Sequence, residues 1–182
     1  MRVVPCLVLS LSLYACSTER VVAPREYLDE RTAATITVVR DPWIFTRETV
    51  RAGDGENRDF LHLYAVDVNR MGEHKQYLAA LIPEQTAEVD HAPSIELKAH
   101  EWSLSLQAST VETREIGIAS PVAESYALAE SWWYFPVDKQ KLATIANAPE
   151  LEAELVWNGE RTSYAMWRSG REELSEFTAV LP

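Results

Sequence analysis

Leu151 to Trp167 reads LEAELVWNGERTSYAMW, and this stretch decides the fold. Two runs rich in strand-forming residues flank Asn158-Gly159. That dipeptide suits a two-residue type I′ turn, because both central positions need positive φ. A two-residue turn fixes the register, so Leu155 faces Thr162, Ala153 faces Tyr164 and Leu151 faces Met166. Those pairs make one apolar face. Glu152, Glu154 and Val156, against Ala165, Ser163 and Arg161, make the other. A sheet with one dry and one wet face requires this division.

On the C-terminal side, Ser169-Gly170-Arg171-Glu172 fits a capping box. It opens a final helix that turns Leu174, Phe177 and Leu181 inward. On the N-terminal side, Asp138 suits the cap of a helix from Lys139 to Ala146, with Val137 and Leu142 in the two positions of a hydrophobic staple. Leu142, Ile145 and Ala146 form its apolar face, and Asn147 and Pro149 end it.

Farther upstream the pattern is strand after strand. Ala34 to Val39 is short and β-branched, and Trp43 to Thr46 resumes after Asp41-Pro42. Ala52 to Arg58 is a turn-rich loop. Phe60 to Val68 and Gln76 to Ile82 read as a hairpin around Asn69-Arg70-Met71-Gly72, with Gly72 suited to positive φ. Pro83 to Pro93 is a loop. Ile95 to Leu106 is one bent strand or two, and Glu115 to Ile118 is a short strand candidate. Ser120 to Phe135 fits helical spacing at Val122, Tyr126, Ala129 and Trp133, but Ser131-Trp132-Trp133-Tyr134-Phe135 is dense in β-formers, which favours a strand over Tyr126 to Phe135.

Short strands, frequent loops and two late helices predict one mainly β domain over residues 33–182. Its architecture is expected to be a β-sandwich or open barrel of short antiparallel strands with two short C-terminal helices. Residues 17–32 (STERVVAPREYLDERT) are polar, lack apolar periodicity and read as a tether.

The chain has 182 residues and a net charge of −11, which disfavours a phosphate backbone and so nucleic acid as a partner. Its one long apolar run is N-terminal. Arg2 precedes Val3 to Ala15 (VVPCLVLSLSLYA), which falls short of the ~20 apolar residues needed to span a bilayer. A basic start, a short apolar run and a small residue at the exit make the layout of a cleavable signal peptide over residues 1–15.

The two cysteines are Cys6, inside that run, and Cys16, directly after Leu13-Tyr14-Ala15. Leu13, Ala15 and Cys16 resemble the lipobox of bacterial lipoproteins, with Tyr14 in a slot that usually holds a smaller residue. The resemblance covers residues 1–16 only; the mature domain matches no named family. It implies cleavage before Cys16 and diacylglycerol on its thiol. Each buried CH₂ of such chains contributes about 0.8 kcal/mol to membrane attachment. Ser17, where the family's inner-membrane retention signal has Asp, implies an outer-membrane address facing the periplasm. An unlipidated product would keep a lone thiol in an oxidising compartment.

Motifs for chemistry are sparse. The chain has no Gly-x-Ser-x-Gly, and His100-Glu101 is followed by Leu104 where a zinc motif needs its second histidine. His62, His74 and His91 are isolated in sequence. The acidic loop Asp54, Glu56, Asn57, Asp59 fails as a calcium loop, with Arg58 in the fifth position and Ala65 in the twelfth. Gly53-x-Gly55 lacks the rest of a phosphate loop. Glu124 and Glu130 near the tryptophans carry no spacing that defines a glycosidase. The expectation is therefore no catalytic, cofactor or metal site.

The aromatics remain. In a strand, Trp132 and Tyr134 share one face and Trp133 and Phe135 the other. Trp132, Trp133, Tyr134, Trp157 and Trp167 are either core or an exposed platform for a partner protein or a cell-wall glycan. The expected function is a lipid-anchored envelope protein acting as a non-enzymatic binding or assembly module. A lipid-anchored periplasmic hydrolase with a dispersed site is the alternative.

Overall fold

The computed structural model describes residues 23–50, 56–83, 92–124 and 130–182. The strands are β1 (Arg25–Asp29), β2 (Ala34–Val38), β3 (Trp43–Val50), β4 (Glu56–Arg70), β5 (Glu73–Pro83), β6 (Ser94–Lys98), β7 (Ser103–Gln107), β8 (Glu130–Val137), β9 (Glu152–Trp157) and β10 (Glu160–Arg168). The helices are α1 (Thr113–Ile116), α2 (Lys139–Asn147) and α3 (Arg171–Val180).

The ten strands form one antiparallel sheet, in the order β1-β2-β4-β3-β10-β9-β6-β7, with β5 joining β4 to β8. The 15-residue β4 organises it. One edge of β4 takes β3 along its first half and β2 along its second, and the other edge takes β5. The sheet curls until β7 approaches β8 but does not close. Where they meet, the Ser109 N–H donates to the Tyr134 carbonyl at 2.7 Å.

Cross-strand partners share a face, so the register assigns the interior. Trp43, Phe45, Leu61, Leu63, Leu78, Phe135, Ala153, Leu155, Ile95 and Leu97 all point inward and are buried. Each large side chain removed from water contributes about 1.5–3 kcal/mol. α2 leaves the end of β8 and α3 the end of β10. Leu142, Ile145, Leu174 and Phe177 join the same core.

The outer face divides in two. Over β2, β4, β5 and β8 it is also dry, with Ile36, Val38, Val66, Val68, Ala79 and Tyr134 buried. The segment carrying α1 covers it with Ile116, Ile118 and Val122. Two polar stitches hold that cover. Asp29 accepts from the Ala119 N–H at 2.7 Å, and the Thr32 hydroxyl donates to the Gly117 carbonyl at 2.7 Å. Over β3, β10, β9, β6 and β7 the outer face is bare: Ser103, Ser105, Gln107, Glu152, Ser163 and Ala165 are exposed.

Several expectations hold. The β9–β10 register is the one set by Asn158-Gly159, where φ is 50° and 81°. Asp138 caps α2 by accepting from the Lys141 N–H at 2.8 Å. The hairpin at Gly72 turns through Met71 (φ 55°) and Gly72 (φ 88°).

Others need correction. Residues Arg25–Asp29, assigned to the tether, form β1 and pair with β2. An edge strand needs few apolar residues, because only one of its edges and one of its faces meets the protein. The strand expected at Glu115 to Ile118 is the end of a one-turn helix, stopped by Gly117 in the left-handed region at φ 111°. Ile95 to Leu106, read as one bent strand or two, forms two, β6 and β7. The Ser169 capping box does not form: Gly170 is the N-cap of α3, and Ser169 accepts from the Arg171 N–H at 3.3 Å. Of the region Tyr126 to Phe135, residues 130–135 are strand and 125–129 lie outside the described residues, as do His91, the Gly53-x-Gly55 pair and the whole signal segment with Cys16.

Candidate functional site

The bare outer face carries one aromatic cluster. β10 has an irregularity between Met166 and Arg168, just where it pairs with β3. Trp167 sits at this point, 57% exposed. From β4, Phe60 meets it edge-on, with centroids 6.4 Å apart. Phe60 is on the outward parity of β4, since its inward neighbour Leu61 is fully buried. The Arg58 guanidinium lies over the Trp167 ring, 4.9 Å from its centroid. Such a contact contributes about 0.5–1 kcal/mol at an exposed site and holds both side chains flat.

Beside this cluster runs a groove of 590 Å³, lined by Thr46, Arg47, Glu48, Arg58, Glu152, Ser163, Tyr164, Ala165, Met166 and Trp167. Arg47 is bound to Asp59 at 2.9 Å and lies 5.6 Å above the Tyr164 ring. Burial pushes the Tyr164 phenol above its ordinary range, while Arg47 pulls the other way, so the hydroxyl stays a neutral donor at physiological pH. Arg58 is held loosely, 3.7 Å from Glu48. Two arginines and two glutamates line the groove, so it is charge-balanced on a chain of net charge −11. Long-range repulsion of anionic partners is weakest there.

The five aromatics named from sequence do not gather into one patch. Tyr134 and Trp157 are each 3% exposed. This corrects their candidacy as contact residues: their parity turns them onto dry faces. Burial also pushes the Tyr134 phenol up, beyond any physiological titration. Trp132 and Trp133 are half-buried and line a second cleft, between β8 and the chain from Ser109 to Thr113. Trp132 packs on Tyr64 at 5.5 Å and Trp133 on Trp157 at 5.8 Å. Only Trp167 of the five stands clear of the core. Sequence reasoning missed Phe60 and Arg58, although the alternation around Leu61 and Leu63 already turned Phe60 outward.

One polar constellation is buried. Asp67, 3% exposed, accepts from Gln76 Nε2 at 2.7 Å and pairs with His74 Nδ1 at 2.7 Å. The pairing brings histidine and carboxylate together as in a catalytic relay. Among the described residues no serine or threonine hydroxyl is hydrogen-bonded to His74, so the pair reads as a clasp between β4 and β5. Among the described residues no group of three metal-binding side chains is found, and no helix is long and apolar enough to cross a membrane. The indole N–H groups of Trp43, Trp133 and Trp157 are buried without a hydrogen-bond acceptor. No family model matches the chain, and neither a curated protein nor a solved structure matches it either.

Proposed function

We propose that this chain is a lipid-anchored cell-envelope protein, attached through Cys16, whose β domain is a non-enzymatic binding or assembly module. Its contact surface is the groove beside Trp167. The single observation that carries this reading is the exposed Trp167, held between Phe60 and Arg58 on the bare half of the sheet. Tryptophan and arginine dominate interface energetics, and truncating such an anchor costs about 2 kcal/mol or more, roughly thirtyfold in affinity. The lipobox-like Leu13-Tyr14-Ala15-Cys16 supports the anchor, and Ser17 supports the outer membrane.

In-cell cross-linking of the full chain, followed by affinity purification, tests the contact surface. A reproducible envelope protein recovered with the wild type and lost with Trp167→Ala supports an assembly role. Recovery on cell-wall fragments assigns a glycan partner to the same groove. An adduct that persists unchanged in both Trp167→Ala and Arg58→Ala refutes the groove. Membrane fractionation of Cys16→Ser tests the anchor: the variant is expected in the soluble fraction, and retention in membranes refutes attachment through that cysteine. The hydrolase reading rests on the Asp67–His74 pair alone. Covalent labelling by a fluorophosphonate that is lost in His74→Ala would replace the binding reading with it.

A further inference from the structure

The cleft between β8 and Ser109–Thr113 has a volume of 320 Å³ and is lined by Trp132, Trp133 and Tyr134 together. Successive residues of a strand point to opposite faces. A cleft that touches three in succession therefore lies along the edge of the strand, not over either face. The backbone agrees. Tyr134 gives its carbonyl to Ser109, so its peptide groups point away from β5. By the same alternation Trp132 and Pro136 point their peptide groups outward too. Pro136 has no N–H to offer, which blunts one end of this edge. At the other end the Trp132 N–H and carbonyl and the Tyr134 N–H carry no backbone bond among the described residues.

We infer that this edge of β8, unpaired among the described residues at Trp132 and at the Tyr134 N–H, is a docking site for one short, extended peptide segment of a partner, bearing basic side chains. An extended backbone supplies the acceptors and the donor that these groups lack among the described residues, as in strand addition to other sheets. Trp132 to Tyr134 span about 10 Å, so the segment pairs over about three residues. The Trp133 ring lines the cleft and gives the segment an apolar wall to pack on. Glu112 is the one charged residue among those lining the cleft, on a chain of net charge −11, which selects cationic over anionic segments. This inference is independent of the Trp167 groove, because a different half of the sheet carries it.

The test uses the full chain in detergent and two probes: an eight-residue peptide of alternating lysine and valine, and the same peptide N-methylated at every second residue on the pairing edge. Amide exchange and nuclear magnetic resonance report the site directly. The plain peptide is expected to slow exchange of the Trp132 and Tyr134 amides about tenfold and to shift the Trp133 indole N–H. The methylated peptide is expected to bind about five- to tenfold more weakly, because it loses its N–H bond to the Trp132 carbonyl and its methyl groups obstruct the pairing edge. Equal binding of both peptides, no protection at Trp132 and Tyr134, or perturbation confined to the Trp167 indole overturns the assignment.

Discussion

Gly117→Ala is expected to damage this protein more than the same change in an open turn, and the difference measures how tightly the cover over β4 is seated. Gly117 stands at φ 111°, a conformation that L-residues rarely adopt. A Cβ there would lie 2.8 Å from Val68 Cγ1, 3.1 Å from Arg70 Cδ and 3.4 Å from Ala34 Cβ. The arginine arm can swing aside, but Val68 belongs to the buried core and has little room to turn. Backbone strain contributes about 1–2 kcal/mol. Overpacking against Val68 contributes about 1–3 kcal/mol more. At about 2–4 °C per kcal/mol for a domain of this size, Tm should fall by roughly 4–20 °C. Gly72→Ala is the internal control. Its φ is 88°, but nothing lies within 4 Å of the added carbon, so only strain remains. A fall of about 2–8 °C is expected there. Thermal unfolding followed by circular dichroism on both variants decides the matter. If Gly117→Ala melts within about 2 °C of Gly72→Ala, the contact with Val68 is not made and the cover is seated differently.

Other outcomes follow from single contacts. Asp67→Ala removes the shared acceptor of His74 and Gln76 and should destabilise by about 2–3 kcal/mol in urea titration, whereas Lys75→Ala on the same hairpin should leave the urea midpoint nearly unchanged. Burial pushes the Asp29 carboxyl up, but N–H bonds from Ala119, Arg31 and Thr32 outweigh it and hold its folded pKa below the ordinary value. A depressed carboxylate stabilises the fold above its unfolded pKa of about 4, and that contribution is lost as pH falls through the folded value. Asp29→Asn should therefore lose stability at pH 7 and show a shallower acid decline than the wild type, measured by urea midpoints between pH 7 and pH 2. Phe60→Ala should leave Tm within about 3 °C while weakening partner cross-linking, because its ring supports Trp167 without belonging to the core.

What the sequence reveals here depends on where the determining contacts lie. The β9–β10 hairpin is legible because Asn158-Gly159 imposes register through four adjacent residues. α2 is legible because Asp138, Val137 and Leu142 all act within one turn. β1 is not, because Arg25-Glu26-Tyr27-Leu28-Asp29 has neither turn nor alternation of its own and is ordered by pairing with Ala34–Val38. α1 is equally hidden: four residues hold a helical turn because Gly117 caps it and Thr32 fastens it from outside. The aromatic run of β8 is legible as alternating, but which half of the sheet lies bare depends on the segment that covers the other half. Trp167 lies more than a hundred residues from Phe60 and Arg58 in the chain, so their meeting follows only from the β4–β3–β10 pairing.

β1 also sets a leash length. Nine positions separate Cys16 from Arg25, where the sheet begins, and a fully extended chain covers at most about 30 Å in that span. With the lipid we propose on Cys16, the domain patrols a thin shell above the bilayer instead of roaming the compartment. Its search for partners is then close to two-dimensional, and only molecules that are themselves surface-bound, or that approach within that shell, come into range. Lengthening the segment before Arg25 would widen the shell without touching the fold.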